Sequence, residues 1–244
     1  MRRLLLAALA LAMLAACSDD DPTPRPTTTT VERSTTTEAD DDDDDDDDDE
    51  PRATPTTSRV PGDVLTPAFP PVVAGLGDSL LYAAHDDIDA GIQEDVRFVS
   101  EALIGVTIQG SSFGFERIKA QRPTATAVVL GTNNASDGSD EGDVAAVGQL
   151  MADLSRLPCV RWVEVSTSGP DESFNRIARA INAELHRVAA QYATVEIVPW
   201  ADAAADHPEW MALDRIHHTP AGEAALAEVI LDALAACPQT LIRR

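Results

Sequence analysis

From residue 72 onward, short apolar runs alternate with stretches whose apolar residues recur at helical spacing. The run 72–76 reads as a first strand and 79–92 as the helix after it. Residues 105–109 (Gly-Val-Thr-Ile-Gln) read as a second strand and 115–121 as a short helix. The run 126–130 is almost continuously apolar, as a strand covered on both faces should be. A helix over 143–157, a fourth strand over 160–165, a long amphipathic helix over 171–191 and a fifth strand over 193–198 follow. Thr219 caps the last helix, and Pro220 occupies its first turn. Strands alternating with helices predict one α/β domain over 69–244, a three-layer α/β/α sandwich around a five-stranded parallel sheet.

The first 68 residues break this pattern. Arg2 and Arg3 precede an apolar run of 13 residues, Leu4 to Ala16. That is short for a membrane span and fits the hydrophobic part of a secretory signal, so 1–16 are expected to be a signal peptide. The run ends in Leu14-Ala15-Ala16-Cys17, which resembles the lipobox of bacterial lipoproteins. The resemblance implies cleavage before Cys17, lipid attachment there, and an exported protein anchored on the outer side of the cell membrane. An ordinary signal peptide with a chance cysteine is the alternative. Residues 17–68 are rich in Thr, Pro and Asp. Sixteen carboxylates lie between 18 and 62 against four arginines, half of the chain's formal charge of −24. Such a stretch has too little apolar surface to offset its ordering entropy and reads as a disordered tether. Its ten consecutive aspartates suit a solvated spacer better than a calcium site, which needs fixed geometry. No basic cluster points to nucleic acid. No His/Cys spacing suits a metal and no phosphate loop is present, so no cofactor is expected.

In a parallel sheet, ligands bind beyond the carboxyl ends of the strands. The residues there are Gly77-Asp78-Ser79 after the first strand, Gly110-Ser111-Ser112 after the expected second, and Gly131-Thr132-Asn133-Asn134 after the third. Before the last helix stands Asp214-Arg215-Ile216-His217-His218. A hydroxyl, glycine amides, a carboxamide and an imidazole three residues from a carboxylate are the inventory that acyl transfer requires.

These blocks, in this order, resemble the SGNH hydrolases, also called the GDSL family of esterases and lipases. Gly77-Asp78-Ser79-Leu80 matches the nucleophile block. Gly131-Thr132-Asn133-Asn134 matches the asparagine block, with Asn134 replacing the usual aspartate. Asp214-x-x-His217 with Thr219-Pro220-Ala221-Gly222 matches the last block, with Arg215 where a glycine is frequent. The glycine block is assigned to Gly110, with Gly114 as the alternative. The resemblance covers about residues 70–236. It implies Ser79 as nucleophile, His217 as base, Asp214 as its orienting acid, and the amides of Ser79 and Gly110 with the Asn133 side chain as oxyanion donors. His218, next to the helix cap, reads as structural. The implied activity is hydrolysis of short, acetyl-like acyl esters outside the cytoplasm. O-acyl transfer to a cell-envelope glycan is the alternative, and a non-catalytic envelope-binding module a third reading.

With Cys17 lipidated, Cys159 and Cys237 remain. An even pair in an oxidising compartment predicts a disulfide, with two buried free thiols as the rival reading.

Overall fold

The computed structural model describes residues 63–138, 141–238 and 241–243. The expected signal peptide, Cys17 and nearly all of the tether lie outside them. Five parallel strands form one sheet: β1 (Val72–Gly77), β2 (Arg97–Ala102), β3 (Ala125–Val129), β4 (Val160–Val163) and β5 (Val195–Val198), in the order β2-β1-β3-β4-β5. Every residue of β1, β3 and β4 is buried, which is why these three are legible as apolar runs.

Between the strands run α1 (Ser79–Ala83), α2 (His85–Gly91), α3 (Ser112–Ala120), α4 (Thr132–Asp137), α5 (Glu141–Leu154) and α6 (Glu172–Ala189), and after β5 come α7 (Ala201–Asp206) and α8 (Pro220–Ala235). Strand side chains alternate between faces. Leu76, Val128 and Trp162 pack with Phe115, Met151 and Ile181 of α3, α5 and α6. On the opposite face, Val73, Ala127 and Val163 pack with Leu81, Ile88 and Ile230 of α1, α2 and α8. The helix expected over 79–92 is two helices, broken at Ala84 (φ −80°, ψ 0°).

The second strand is a correction. It runs over Arg97–Ala102, and 105–109 form a turn leading into the 3-10 segment Gln109–Ser111. Val106 and Ile108 are buried, so the turn mimics strand alternation. The true strand carries Arg97, Ser100 and Glu101 because it lies at the sheet edge, where charge is tolerated and protects the open ladder.

Cys159 and Cys237 are joined, with an S–S distance of 2.04 Å. This bond fastens the end of α8 to the start of β4. Buried Arg161 adds a second tie there, donating from Nε to Ala233 O at 2.9 Å and pairing with Glu196 at 2.9 Å.

Candidate active site

The strand order reverses between β1 and β3, and the crevice at such a switch point is where open α/β sheets bind ligands. Ser79 lies just beyond β1 and Asn133 just beyond β3. Gly77 makes the first turn possible: a Cβ there would lie 2.5 Å from Leu81 Cβ and 2.9 Å from Val129 O. Asp78 is the N-cap of α1. Its N–H donates to Val129 O, and its Oδ1 accepts from Leu80 N at 3.0 Å. Ser79 therefore opens α1 with its hydroxyl directed toward the loop before α8.

That loop is built by Asp214. Its Oδ1 accepts from the N–H groups of Ile216 and His217, both at 3.0 Å, closing an Asx turn. Its Oδ2 lies 2.8 Å from His217 Nδ1. These three hydrogen bonds, led by the one from the His217 ring, hold the Asp214 carboxyl down at about 2. An ionised carboxylate only accepts, so His217 Nδ1 carries the proton and Nε2 offers its lone pair. Ser79 Oγ lies 3.1 Å from Nε2 and donates to it. The His217 and Asp214 side chains are 51% and 49% exposed, so water reaches this chain of bonds directly.

Arg215 adopts φ +56°, the left-handed backbone that explains why glycine is frequent there, and its guanidinium donates to Ser168 O at 3.0 Å. His218 turns inward, 7% exposed, with its ring edge-on to Trp200 at 5.3 Å between centroids. Burial pushes its imidazole down to about 4. Of the two adjacent histidines, only His217 reaches Ser79.

Gly131 (φ +121°) turns the chain from β3 into α4, where an added Cβ would lie 2.7 Å from Val165 Cγ2. Asn133 Nδ2 donates to Val106 O at 2.9 Å and lies 3.4 Å from Asp78 Oδ2. Asn134 is fully buried. Its Oδ1 accepts from Ile108 N at 2.9 Å, and its Nδ2 donates to Gln109 Oε1 at 2.8 Å. The carboxamide thus accepts as an aspartate would, and its extra donor is matched by Gln109.

Gly110, the predicted glycine donor of the oxyanion site, has its N–H engaged within its own turn. Its N–H already donates to Thr107 Oγ1 at 3.2 Å, and it lies in the 3-10 segment beyond the turn. The glycine that follows the actual second strand is Gly105, with φ +78°. Leu103 N donates to Gly77 O at 3.0 Å, and Val106 O accepts from Asn133, so Gly105 is pinned between the nucleophile turn and the asparagine. Its N–H has no acceptor among the described residues. The signal that identifies it is the glycine closing the β2 turn, obscured by reading that turn as the strand.

Asp78 is completely buried beside this site. Burial pushes its carboxyl up to about 7, against the opposing pull of Leu80 N–H and the nearby His217. On the α3 face, an apolar cavity of about 240 Å³ is bounded by Leu76, Gly77, Leu103, Val106, Phe113 and Gly114. Among the described residues, no group of three or more His, Cys, Asp and Glu side chains is placed to hold a metal ion.

No family model matches the chain, and no curated protein matches it in sequence. Solved structures do match. A lipolytic protein of the G-D-S-L family from Veillonella parvula superposes with a TM-score of 0.58 at 15% identity, over 68% of this chain and 98% of its own. The C-terminal catalytic domain of peptidoglycan O-acetyltransferase A from Streptococcus pneumoniae gives 0.56 at 17% identity, over 73% and 98%. Axe2, an acetylxylan esterase from Geobacillus stearothermophilus, gives 0.54 at 16% identity, over 68% and 94%. The chain has the fold of the GDSL, or SGNH, lipases and acylhydrolases.

Proposed function

We propose that this protein is a serine hydrolase of carboxylic esters. The observation that carries the reading is the continuous chain Ser79 Oγ to His217 Nε2 at 3.1 Å and His217 Nδ1 to Asp214 Oδ2 at 2.8 Å. Ser79 Oγ attacks the acyl carbonyl as His217 Nε2 takes its proton. Asp214 fixes the ring tautomer and stabilises the imidazolium. The N–H groups of Ser79 and Gly105 and the side chain of Asn133 face the developing oxyanion. Asn133 gives up its 3.4 Å contact to Asp78, already longer than a good N–H···O bond, to do so. His217 returns the proton to the leaving alcohol, and a water deacylates Ser79 by the same route. The apolar cavity beside Gly77 and Val106 supports a short acyl group on that side of the site.

The test is turnover of p-nitrophenyl esters with labelling by a fluorophosphonate. Ser79→Ala abolishes both. Asn133→Ala lowers kcat more than it raises KM, by about 3 kcal/mol of transition-state stabilisation. Acetyl and butyryl esters turn over faster than palmitoyl esters. A Ser79→Ala protein that still hydrolyses the ester overturns the assignment.

The half-exposed His217 and Asp214 support a second reading, because an uncovered acyl-enzyme admits a sugar hydroxyl as readily as water. The fold shared with a peptidoglycan O-acetyltransferase domain points the same way. Acyl transfer to an added oligosaccharide, measured against acetate release, separates transferase from hydrolase. We place the enzyme outside the cytoplasmic membrane, attached through lipid on Cys17, on the strength of the run from Arg2 to Cys17.

A further inference from the structure

A second and larger cavity, of about 450 Å³, lies on the opposite face of β2 from the apolar one. It is lined by Tyr82 and Ala83 of α1, His85 and Asp86 of α2, and Ser100 and Ala102 of β2. Its position ties it to the site described above. Tyr82 is three residues after Ser79, so the two project from neighbouring positions on α1. Ala102 stands opposite Gly77 in the β1–β2 register. Alternation along β2 sends Glu101 toward the apolar cavity and Ser100 toward this one.

The lining has the composition of a binding site rather than of a packing defect. Tyr82 is 61% exposed. The Tyr82 hydroxyl, the His85 imidazole and the Asp86 carboxylate make no hydrogen bond to any described residue. The Ser100 hydroxyl is shut off from solvent and also lacks a partner, which is unusual for a buried polar atom. Its Oγ needs a rotation about χ1 to face a ligand in the cavity. His85 is held in place by Phe98, with ring centroids 5.0 Å apart. A cavity of this size with one aromatic wall and a few convergent polar groups is the usual form of a small-molecule site.

We infer that this cavity is the subsite for the alcohol half of the ester, and that the alcohol is a neutral sugar ring. The inference rests on the ester-hydrolase reading and extends it to the leaving group. A pyranose has an apolar face to lay on Tyr82 and hydroxyls that donate to Asp86 and exchange hydrogen bonds with Ser100 and His85. An anionic ligand is disfavoured: residues 63–244 carry 26 carboxylates against 12 Lys and Arg, and the cavity itself contains Asp86 but no Lys or Arg. A quaternary ammonium suits Tyr82 and Asp86 but has nothing to offer the Ser100 hydroxyl. The two halves of the ester thereby occupy chemically distinct seats on either side of Ala102.

The test uses the full chain and two probes, xylotetraose and the tetramer of N-acetylglucosamine. Calorimetry with the Ser79→Ala protein measures binding without turnover. At least one probe binds, and Ser79→Ala/Tyr82→Ala and Ser79→Ala/Ser100→Ala weaken that binding about tenfold, as loss of one stacking or hydrogen-bonding contact does. On the active enzyme, Tyr82→Ala and Ser100→Ala raise KM for the acetylated oligosaccharide by a similar factor. They leave fluorophosphonate labelling, whose leaving group is fluoride and needs no alcohol seat, unchanged. Tyr82 is exposed and Ser100 Oγ is unpartnered, so both variants fold. Absence of binding by either tetramer, binding indifferent to both substitutions, or preferential binding of choline overturns the sugar subsite. A wild-type enzyme that neither labels nor turns over the p-nitrophenyl ester overturns the hydrolase reading instead, and the calorimetry remains readable by itself.

Discussion

Asp78 and His218 pull stability in opposite directions across the same pH range. In an unfolded chain Asp78 titrates near ~4, whereas in the fold its carboxyl is pushed up to about 7 by burial. Between these values the folded state keeps a proton that the unfolded state has released. Its contribution is therefore complete below ~4 and lost as pH rises through about 7. His218 is pushed down to about 4 by burial. Its unfolded imidazole takes a proton near ~6.5, so stability falls as pH drops below that value. Asp214, held at about 2 by the His217 ring and two backbone N–H groups, loses its contribution only as pH falls from ~4 toward 2. Asp78→Asn keeps an oxygen for Leu80 N–H and removes only the first of these effects. Thermal unfolding between pH 4.5 and 7.5 will show the Tm difference moving in favour of the wild type as pH is lowered. A difference independent of pH removes Asp78 from this account. The two candidate glycines separate equally cleanly. Gly105→Ala forces a side chain into left-handed backbone, costing about 1–2 kcal/mol locally, and shifts the turn that offers its N–H. Gly110→Ala meets Val106 Cγ2 at 3.2 Å and Thr107 Oγ1 at 3.4 Å, in ordinary backbone. With p-nitrophenyl acetate, kcat falls in the first variant and stays near wild type in the second; the reverse order restores Gly110.

The elements that are legible in the sequence are those whose burial is symmetric. β1, β3 and β4 are buried on both faces and stand out as mostly apolar runs, and α6 declares itself through Asp171 as N-cap and a long amphipathic stripe. The short helices α4 and α7 do not. Thr132-Asn133-Asn134 prefer local side-chain hydrogen bonds to helix, and α4 is held as a helix where it packs against α6. β2 is hidden because an edge strand needs no apolar run, and placing a strand over 105–109 is what brings Gly110, rather than Gly105, to a strand end. The contrast between β2 and the Asp214-to-His217 turn is instructive: the turn is local in sequence, so its geometry is readable from spacing, whereas the oxyanion turn is defined by which strand precedes it. The disulfide is legible from the even pair of cysteines once export is expected, and its mechanical role is an element-level matter. It closes 78 residues of chain between β4 and α8. Closing a loop of that size restricts the unfolded chain by about 4.5 kcal/mol in the entropy model, with about 2–4 kcal/mol usually realised. The double variant Cys159→Ser/Cys237→Ser will show a lower urea midpoint with unchanged kcat in the folded protein, since neither sulfur approaches Ser79. An unaltered midpoint removes the staple from the stability of α8.

At the scale of the molecule, charge and anchorage have to be reconciled. The segment 18–62 carries a net −12, and the remainder of the chain beyond it a further −14. Cell membranes present anionic headgroups, so neither part is drawn to the surface by electrostatics, which would require clustered Lys and Arg. The attachment proposed at Cys17 is hydrophobic instead. Among the described residues, no helix is long and apolar enough to cross a membrane. Several acyl chains on one residue hold stably where a single chain does not, and the acidic segment beyond them would be repelled outward. Electrostatic and lipid attachment then respond oppositely to salt. The wild-type protein is expected to sediment with membranes, to remain there through a high-salt wash that screens surface charge, and to leave with detergent. Cys17→Ser shifts it to the soluble or uncleaved-precursor fraction, and the soluble form keeps its kcat on p-nitrophenyl acetate, because residue 17 takes no part in the chemistry at Ser79. Release of the wild type by salt, or a Cys17→Ser protein that is processed normally and still sediments with the membrane, would place the attachment elsewhere in the chain.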